Sequence, residues 1–461
     1  MEQKKLTFAE LFSIGIGFTL GSAVFSLTGV AAMYTGGSTF LAYIVGAFAI
    51  VFMMLPVIVA ASIVPRQGVS YSLSKEALCH SMGGFYFYIF FIGRIANLAN
   101  CTAFAIFLTS VFTTLNPNMV AGAIAVIFFI TNYFGMKSAA KVQNILNVIL
   151  FAAMACFIVF GFIHMDTVLI FNRENFITGG ALGFFSAVST VVFAMGGGMA
   201  MLELGGSVEN AEKNLPKACF LITLCAGVLF AAIALGTLGS LPIVPMAEGG
   251  ATMPGTLLFK GPSNAVINAA ADIFENMPAL QVFFLLGGAT LAIGTTINGS
   301  YGWYSAPVLV ACKDGWFPKF FSKTNKYGVP YRIQFIFVLA VLIPIFFIKP
   351  ENIGSVNTNV IKVSTNLQIL ANIIPNFGLL AIPKLYKNVW EKSAWHMSDV
   401  KLKLLMWIPT IFSLYMWTLN FRGLAPTAQK VLAILCVIGV AYAVIGAHTF
   451  AKPKSASEQE S

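Results

Sequence analysis

Long runs of apolar residues, separated by short polar segments, recur along the whole chain. Each run is long enough to form a membrane-spanning helix, since about 20 apolar residues in a helix cross about 30 Å of hydrocarbon. The runs are continuous rather than alternating in hydrophobicity, which excludes a transmembrane β-barrel. The pattern therefore predicts an all-α polytopic membrane protein with twelve spans, at residues 8–33, 38–63, 84–115, 119–135, 142–163, 179–206, 217–241, 279–311, 332–348, 360–383, 404–421 and 428–449.

The composition agrees with this class, and the distribution of basic residues predicts the orientation of the chain in the membrane. Of the 461 residues, 58% are hydrophobic and 10% are charged, whereas a soluble domain carries about 25% charged residues. Twenty of the 27 Lys and Arg residues lie in the two termini and in the loops on the same side, so both termini are predicted to be cytoplasmic. The net charge of +10 is then a basic collar that faces anionic lipid of the plasma membrane, not a nucleic-acid surface.

The chain lacks the patterns that bond-making chemistry and metal binding require. It contains no phosphate-binding loop, no nucleophile elbow and no HExxH motif, so ATP-driven pumping and hydrolysis have no residues to carry them. The seven cysteines form no CxxC pair and the four histidines are scattered, so neither a metal site nor a disulfide framework is predicted. We expect a protein that is not an enzyme and holds no bound cofactor.

Two glycine-rich stretches interrupt otherwise apolar spans. The sequence GSA at 21–23 lies at the centre of the first span, and GGG at 196–198 lies at the centre of the sixth. A helix in a bilayer can break only where other groups satisfy its backbone. Glycines also serve close helix packing, but two stretches in corresponding positions favour two breaks. We expect non-helical backbone at both stretches, facing one common cavity.

The two stretches lie five spans apart, which predicts two inverted repeats with an interrupted helix leading each. Spans 1–5, over about 8–163, and spans 6–10, over about 179–383, would form a transporter core within residues 1–403. Spans 11 and 12 lie in 404–449, and 450–461 is predicted to be a disordered cytoplasmic tail.

Four further segments carry more specific patterns. They read GSAVF at 21–25, PRQGVSYSLSKEALCHSMGGF at 65–85, ENAEKNLPKA at 209–218 and CKDGWFPKFFSKTNKYGVP at 312–330. In this order they resemble motifs of the amino acid–polyamine–organocation (APC) transporters. The resemblance implies the five-plus-five inverted-repeat fold of the leucine-transporter class, with two additional C-terminal helices, and secondary transport of an amino acid.

A broken helix restricts its ligand by physics alone. The half-helix that starts at the break offers free N–H groups and a positive dipole end, which suit a carboxylate. The half-helix that ends there leaves carbonyl oxygens, which suit an ammonium group. A zwitterionic amino acid has both groups. By the resemblance, the carboxylate is bound by Gly21, Ser22 and Ala23, and the amine by Thr19, Phe193 and Gly196, with Gly197 and Gly198 in the same break.

The coupling ion stays open between H⁺ and Na⁺, with obligatory exchange as a third mode. The acidic residue that many relatives carry after the sixth-span break falls on Met199, and Glu203 follows one turn later. Span 5 lacks the lysine that some proton-coupled relatives carry. Thr295 and Thr296 lie where sodium-coupled relatives place hydroxyl ligands, although helical threonines usually bond to the preceding turn.

Arg94 lies well inside the third span, where an arginine costs several kcal/mol unless it faces the bundle interior. By the resemblance it matches a position at which arginine/agmatine exchangers contact their substrate. It would then favour neutral or acidic side chains over basic ones. The alternative is a structural ion pair with Glu203. Asn97, one turn on, would share the substrate face or bond one helix to another.

The sequence thus predicts a permease or exchanger that moves an amino acid by alternating access. An amine, organic-cation or polyamine carrier is the first alternative, and its substrate would need no carboxylate. A non-transporting amino acid sensor is the second alternative. It would need a sizeable cytoplasmic output domain, and the predicted tails are short. The particular substrate, the direction of transport and the oligomeric state stay open.

Overall fold

The computed structural model describes residues 5–21, 23–77, 79–171, 176–241, 265–349 and 352–451. Within these ranges the regular structure is helical, apart from two isolated β-bridges, Leu6 with Val208 and Gln67 with Leu204. This agrees with the all-α class that the apolar runs predict.

Twenty-two α-helices follow one another along the described residues. The first ten are α1 (Phe8–Thr19), α2 (Ala23–Thr35), α3 (Thr39–Met53), α4 (Leu55–Ile63), α5 (Val69–Ala77), α6 (His80–Gly93), α7 (Ala96–Val111), α8 (Pro117–Tyr133), α9 (Met136–Ile163) and α10 (Thr167–Phe171). The others are α11 (Gly180–Val191), α12 (Gly197–Leu202), α13 (Ala211–Ser240), α14 (Ala265–Ile273), α15 (Pro278–Phe283), α16 (Leu291–Lys313), α17 (Tyr331–Phe347), α18 (Ile353–Ile373), α19 (Ile382–Leu385), α20 (Lys387–Lys392), α21 (Asp399–Arg422) and α22 (Pro426–His448).

Several helical segments can cross a membrane by length and composition. The described residues contain eight such segments, and shorter apolar helices, α1, α8, α11 and α17, stand beside them. Each of the twelve predicted spans overlaps at least one segment of these two groups. The protein is therefore a multi-pass helical membrane protein.

Local chemistry explains where two of these helices begin. At the start of α1, Thr7 Oγ1 accepts a hydrogen bond from Glu10 N at 3.3 Å and Glu10 Oε2 accepts one from Thr7 N at 2.9 Å, which is a capping box. At the start of α8, Asn116 Oδ1 accepts from Asn118 N at 2.9 Å, and Pro117 is the first helical residue, where its missing N–H has no cost.

The residues of the first predicted span fall in two helices. Helix α1 ends at Thr19, and α2 begins at Ala23. The expectation of non-helical backbone over the whole of 21–23 is wrong for Ala23, which is already the first residue of α2. Ser22 lies outside the described residues.

The sixth predicted span also contains more than one helical segment. Helix α11 is followed by a 3-10 helix at Val192–Met195, and α12 begins at Gly197. The expectation of non-helical backbone at 196–198 is therefore wrong for Gly197 and Gly198, which form the first turn of α12. Gly196 alone precedes that helix as its N-cap.

These short helices lie at the centre of the packed bundle. Helix α1 contacts α9, α12, α13 and α16, while α2 packs against α11 and α3 packs against α13. The two C-terminal helices are peripheral, since only 33% of the apolar window of α21 and 22% of that of α22 is buried. The centre of the bundle, where α1 meets α12, is therefore the candidate position of the substrate site.

Candidate substrate site

The end of α1 lies directly against the start of α12. A Cβ built on Gly197 would overlap Thr19 Oγ1 and lie 2.6 Å from the carbonyl oxygen of Gly15. The Thr19 hydroxyl donates to that same carbonyl at 2.6 Å. Only a glycine at 197 allows this approach. The glycines of the sixth span and the end of the first half-helix are thus brought together.

Gly198 serves close packing on the other side of α12. A Cβ built there would lie 2.5 Å from the carbonyl oxygen of Cys219 and 2.8 Å from Thr223 Oγ1, both on α13. Two of the three consecutive glycines therefore bring backbones together, as small residues do in membrane helices. Gly196 differs from them, because it lines a cavity.

Two threonines of α16 bond to the carbonyl end of α1. The Thr295 hydroxyl donates to Gly17 O at 2.8 Å and the Thr296 hydroxyl to Phe18 O at 3.1 Å. Both also donate to Ala292 O one turn back, at 2.7 and 3.1 Å, as helical threonines usually do. Five oxygens, two hydroxyl and three carbonyl, therefore gather at the end of a helix, where the dipole is negative.

The remaining predicted ligands of the two breaks lie around this junction. A Cβ built on Gly21 would overlap Thr296 Oγ1, so the backbone passes close to α16. Ala23 starts α2 and is partly buried, and Phe193 lies in the 3-10 helix, with its side chain outside the described part of the structure.

Arg94 is held among aromatic rings between α6 and α7. Its guanidinium carbon lies 4.2 Å from the ring centroid of Phe90, 4.7 Å from that of Trp303 and 4.5 Å from that of Tyr304. Its Nε donates to Phe90 O at 3.1 Å. The faces of aromatic rings attract and stabilise a buried cation. The two terminal nitrogens of Arg94 have no hydrogen-bond partner among the described residues.

Arg94 and Glu203 line one narrow cavity, which we call the Arg94–Glu203 cavity. Arg94 is 2% exposed and Glu203 is 5% exposed. The predicted alternative, a structural ion pair between Arg94 and Glu203, is wrong. No nitrogen of Arg94 lies within 4.0 Å of a carboxylate oxygen of Glu203. The complete lining is Ile50, Met54, Ser70, Tyr86, Phe90, Arg94, Gly196, Met199, Ala200, Glu203, Trp303, Gln368 and Asn372.

Asn97 follows Arg94 by one helical turn but does not line this cavity. It is 1% exposed, and its Oδ1 accepts from Ser300 Oγ at 3.4 Å. Its Nδ2 has no hydrogen-bond partner in the described part of the chain. The contact with Ser300 ties α7 to α16, as expected for an asparagine that bonds one helix to another.

Several cavity residues are missing from the sequence prediction. Trp303 lines the cavity, and together with Tyr304 it encloses Arg94; nothing in the sequence ties either ring to Arg94. Gln368 and Asn372 are four residues apart in α18 and so share one face of that helix, but α18 also contains other polar residues, among them Lys362 and Asn366, so the sequence does not single these two out. Ser70 is missing because it lies in α5, outside every predicted span.

Charged contacts tie helices together at the end of the bundle that bears the basic loops. Lys75 Nζ lies 2.9 Å from Asp314 Oδ2, and Tyr71 OH donates to the same oxygen at 2.8 Å. We call these three residues the Asp314 latch. Burial raises the pKa of Tyr71, and the charge of Asp314 raises it further, so the phenol stays protonated and remains a donor. The latch ties α5 to the loop after α16.

Known proteins resemble this chain along most of its length. An uncharacterized protein of Methanocaldococcus jannaschii is 24% identical over 383 residues, 81% of this chain and 83% of that protein. The branched-chain amino acid permease BcaP of Bacillus subtilis is 24% identical over 390 residues, 78% and 79% of the two chains. The serine/threonine exchanger SteT of Bacillus subtilis is 26% identical over 305 residues, 63% and 66%.

The family comparison is broader than any of these pairs. The family model described as amino acid permease matches residues 6–442, from the residue before the capping box of α1 to well inside α22. The APC motifs at 21–25, 65–85, 209–218 and 312–330 all lie within this range. The chain therefore belongs to the amino acid permease family of the APC superfamily of transporters, and it is not an enzyme.

Proposed function

We propose that this protein is a secondary active transporter that moves an amino acid across the plasma membrane by alternating access. The observation that carries the proposal is the contact of Thr19, at the end of α1, with Gly197, at the start of α12. Two broken spans that meet in the bundle centre are the arrangement in which such transporters bind substrate.

Twelve spans in two inverted repeats are part of this proposal. Packing of α2 on α11 pairs the first helices of the two halves, and packing of α3 on α13 pairs the second helices. This pairing supports a pseudo-twofold relation between the halves. Helices α21 and α22 then stand outside the repeats, in agreement with their low burial.

The substrate's zwitterion would bind across the two breaks. Its carboxylate would lie at the start of α2, at the positive end of a helix, where the N–H groups of Gly21 and Ala23 and, by the resemblance, that of Ser22 would bind it. Its ammonium would face the carbonyl end of α1 at Thr19 and the 3-10 helix that contains Phe193. An amine without a carboxylate would leave the N–H groups unpaired, which disfavours the amine-carrier alternative.

The side chain of the substrate is proposed to be neutral or acidic. Arg94 lies in the wall of the cavity that Gly196 also lines, and its buried positive charge repels a basic side chain. The names of two relatives, a branched-chain amino acid permease and a serine/threonine exchanger, support a neutral side chain.

Sodium is the coupling ion that we propose. The hydroxyls of Thr295 and Thr296 and the carbonyls of Gly17, Phe18 and Ala292 supply oxygen ligands at the end of a broken helix, which is where transporters coordinate such ions. The absence of a lysine from residues 142–163 argues against the lysine-based proton coupling of some relatives. Proton coupling and obligatory exchange are the two alternatives to sodium coupling that an experiment must distinguish.

Alternating access requires that the two ends open in turn. The Asp314 latch and the pair of Arg66 with Glu76, at 2.6 Å, close the end that bears most of the basic loops. With both termini cytoplasmic, as the positive charges favour, these pairs would close the cytoplasmic end in this conformation.

A thermal-shift screen tests the proposed substrate class. Purified protein is heated with each of the twenty amino acids, and with the amine that decarboxylation of each would give. We expect one or a few neutral amino acids to raise the melting temperature, as a ligand that binds only the native state does, and their amines to have no effect. Equal shifts with the amines would favour the amine carrier, and no shift with any amino acid would contradict the proposal.

A further inference from the structure

We propose that Asn420, on α21, is a positioning residue for the broken sixth span. Its side-chain amide binds the carbonyl of Ser189 and so holds the 3-10 helix at Val192–Met195 in a form whose carbonyl oxygens can receive the ammonium group of the substrate. The proposal rests on amino acid transport as the function. It gives a helix outside the two proposed repeats a part in shaping the site.

The bond from Asn420 lies where α11 ends. Helix α11 ends at Val191, and the N–H of Val192, its C-cap, donates to Val188 O. The next carbonyl along the chain, that of Ser189, accepts from Asn420 Nδ2 at 2.8 Å. The last carbonyls of a helix need partners from outside it. The Asn420 side chain supplies such a partner from a neighbouring helix.

Ser189 also bonds to α21 in the opposite direction. Its hydroxyl donates to Met416 O, one turn before Asn420, at 3.0 Å, and accepts from Asn420 Nδ2 at 3.3 Å. Ser189 is buried, so water is not a ready alternative partner for either oxygen. Two kinds of bond therefore link the helices at this residue. Only the bond from Asn420 to the Ser189 carbonyl involves the backbone of α11.

The carbonyl of Ser189 is the point at which two backbone forms compete. In a continuous α-helix it would accept the N–H of Phe193, four residues on. In a 3-10 helix each N–H donates instead to the residue three positions back, and Val192–Met195 has this form. Because Asn420 already satisfies the Ser189 carbonyl, winding this segment into the α-helix gains less. The bond from α21 thus favours the 3-10 form.

The 3-10 form matters because of its place beside the break. The segment Val192–Met195 leads directly to Gly196, which is the N-cap of α12. Hydrogen-bond geometry in a 3-10 helix is poorer than in an α-helix, which leaves its carbonyl oxygens more available to an external donor. An ammonium group carries three donors. An α-helical segment would instead commit these oxygens to its own backbone bonds.

The position of Asn420 in α21 is unusual for that helix. Asn420 is the one residue with a side-chain amide within Asp399–Arg422, and α21 packs against α3, α4, α11 and α18. Asparagines in membrane helices commonly bond one helix to another. Simple attachment of α21 to α11 is therefore the competing explanation, and it makes different predictions for matched variants.

Three single variants separate positioning from attachment. Asn420→Leu removes the donor to the Ser189 carbonyl and nearly keeps the side-chain volume. Ser189→Ala removes the hydroxyl bond to α21 and so weakens the attachment of the same two helices, but it leaves the carbonyl bond in place. Gln429→Leu is the control for the change from amide to leucine, because Gln429 caps two carbonyls where α21 ends and does not bond to α11.

Binding is measured by equilibrium dialysis of the full-length protein with the tritiated amino acid that raises the wild-type melting temperature most. We expect Asn420→Leu to weaken binding at least tenfold, and Ser189→Ala and Gln429→Leu to change it less than twofold. An equal loss in Asn420→Leu and Ser189→Ala would overturn the proposal, because either variant weakens mere attachment. Unchanged binding in Asn420→Leu would overturn it as well.

Hydrogen–deuterium exchange of residues 189–196, read by mass spectrometry, tests the same idea without any substrate. We expect slower exchange in Asn420→Leu than in the wild type, because the freed Ser189 carbonyl draws the N–H of Phe193 into the α-helix. Unchanged or faster exchange would contradict positioning, since loss of attachment alone loosens the end of α11. Asn420→Ala, with the same expected results, replaces Asn420→Leu if that variant does not fold. A wild type that binds no amino acid would refute the proposed function, whereas the exchange result would still decide the role of Asn420.

Discussion

Arg94 and Glu203 line the same buried cavity without forming an ion pair. In a bilayer each charge costs several kcal/mol unless it is compensated, and direct pairing would be the simplest compensation. Instead the rings of Phe90, Trp303 and Tyr304 hold the cation, and Ser70 N bonds the carboxylate. Both charges therefore remain open to a third partner, which we identify with the substrate.

Replacement of Arg94 by glutamine should change which side chains are accepted. Removal of the buried positive charge relieves repulsion of a basic side chain, by about 1 kcal/mol or more at an effective dielectric constant of about 20. We expect lysine and arginine to compete for uptake roughly tenfold better in Arg94→Gln than in the wild type. The measurement is inhibition of labelled uptake by acidic, neutral and basic amino acids.

Arg332→Gln is the matched control for that experiment, because Arg332 also stacks on an aromatic ring, that of Phe320, but lies outside the cavity. It should leave the preference unchanged. A uniform loss of all substrates in Arg94→Gln, together with a lower melting temperature, would make Arg94 structural and contradict a role in selectivity.

Gly197→Ala should disrupt the contact that the proposed function depends on. The added Cβ would overlap Thr19 Oγ1 and lie 2.6 Å from Gly15 O, and overpacking of this kind costs about 1–3 kcal/mol. We expect a lower melting temperature and loss of amino acid binding. Gly302→Ala on α16 is the control, since no atom lies within 4 Å of a Cβ built there. Normal uptake by Gly197→Ala at normal expression would count against the junction as the site.

Thr295→Val should remove sodium dependence. The valine keeps the shape of threonine and loses the oxygen that meets Gly17 O and Ala292 O. We expect wild-type uptake to be several-fold faster in sodium medium than in choline medium, Thr295→Ser to keep the difference, and Thr295→Val to lose it. Equal wild-type uptake in the two media would refute sodium coupling and favour proton coupling or exchange.

Asp314→Asn should open the end of the bundle that the latch closes. It removes the ion pair with Lys75 and weakens the bond from Tyr71, but costs the fold only about 0–1 kcal/mol because Lys75 is partly exposed. We expect buried Cys312 to react faster with maleimide, in a background where the other cysteines are serine. Glu391→Gln breaks the exposed pair with Lys387 and should change nothing. Unchanged labelling in Asp314→Asn would mean that the latch does not govern access.

The helices and their order can be predicted well from the sequence. The backbone conformation of the two glycine stretches can be predicted only partly. Continuous apolar runs predict helices because a bilayer leaves the backbone no other means of pairing. Gly197 and Gly198, however, are helical. Gly197 allows the close approach of α1, and Gly198 allows that of α13. A glycine needed for packing and one needed for a break look the same in a sequence. The distances from Gly197 to Thr19 and from Gly198 to Cys219 distinguish them.

The sequence could predict that Arg94 lines an interior cavity, but it could not predict the same of Trp303. A charge inside an apolar span is conspicuous in any sequence, and so Arg94 could be assigned to the interior. Trp303 and Tyr304 lie in an apolar helix where aromatic residues are common, and their position against Arg94 depends on the rotation of α16 relative to α6. The Thr295 and Thr296 bonds to α1 depend on the same rotation. Such relations require the packed structure.

Uptake into liposomes tests amino acid transport most directly. Purified protein is reconstituted, and entry of the tritiated amino acid selected by the thermal-shift screen is followed with and without the same unlabelled amino acid inside. We predict saturable uptake that is faster in preloaded liposomes, because the loaded carrier returns by alternating access, and none with Gly197→Ala. Uptake no greater than in protein-free liposomes, by a protein that is folded and binds the amino acid, would contradict transport.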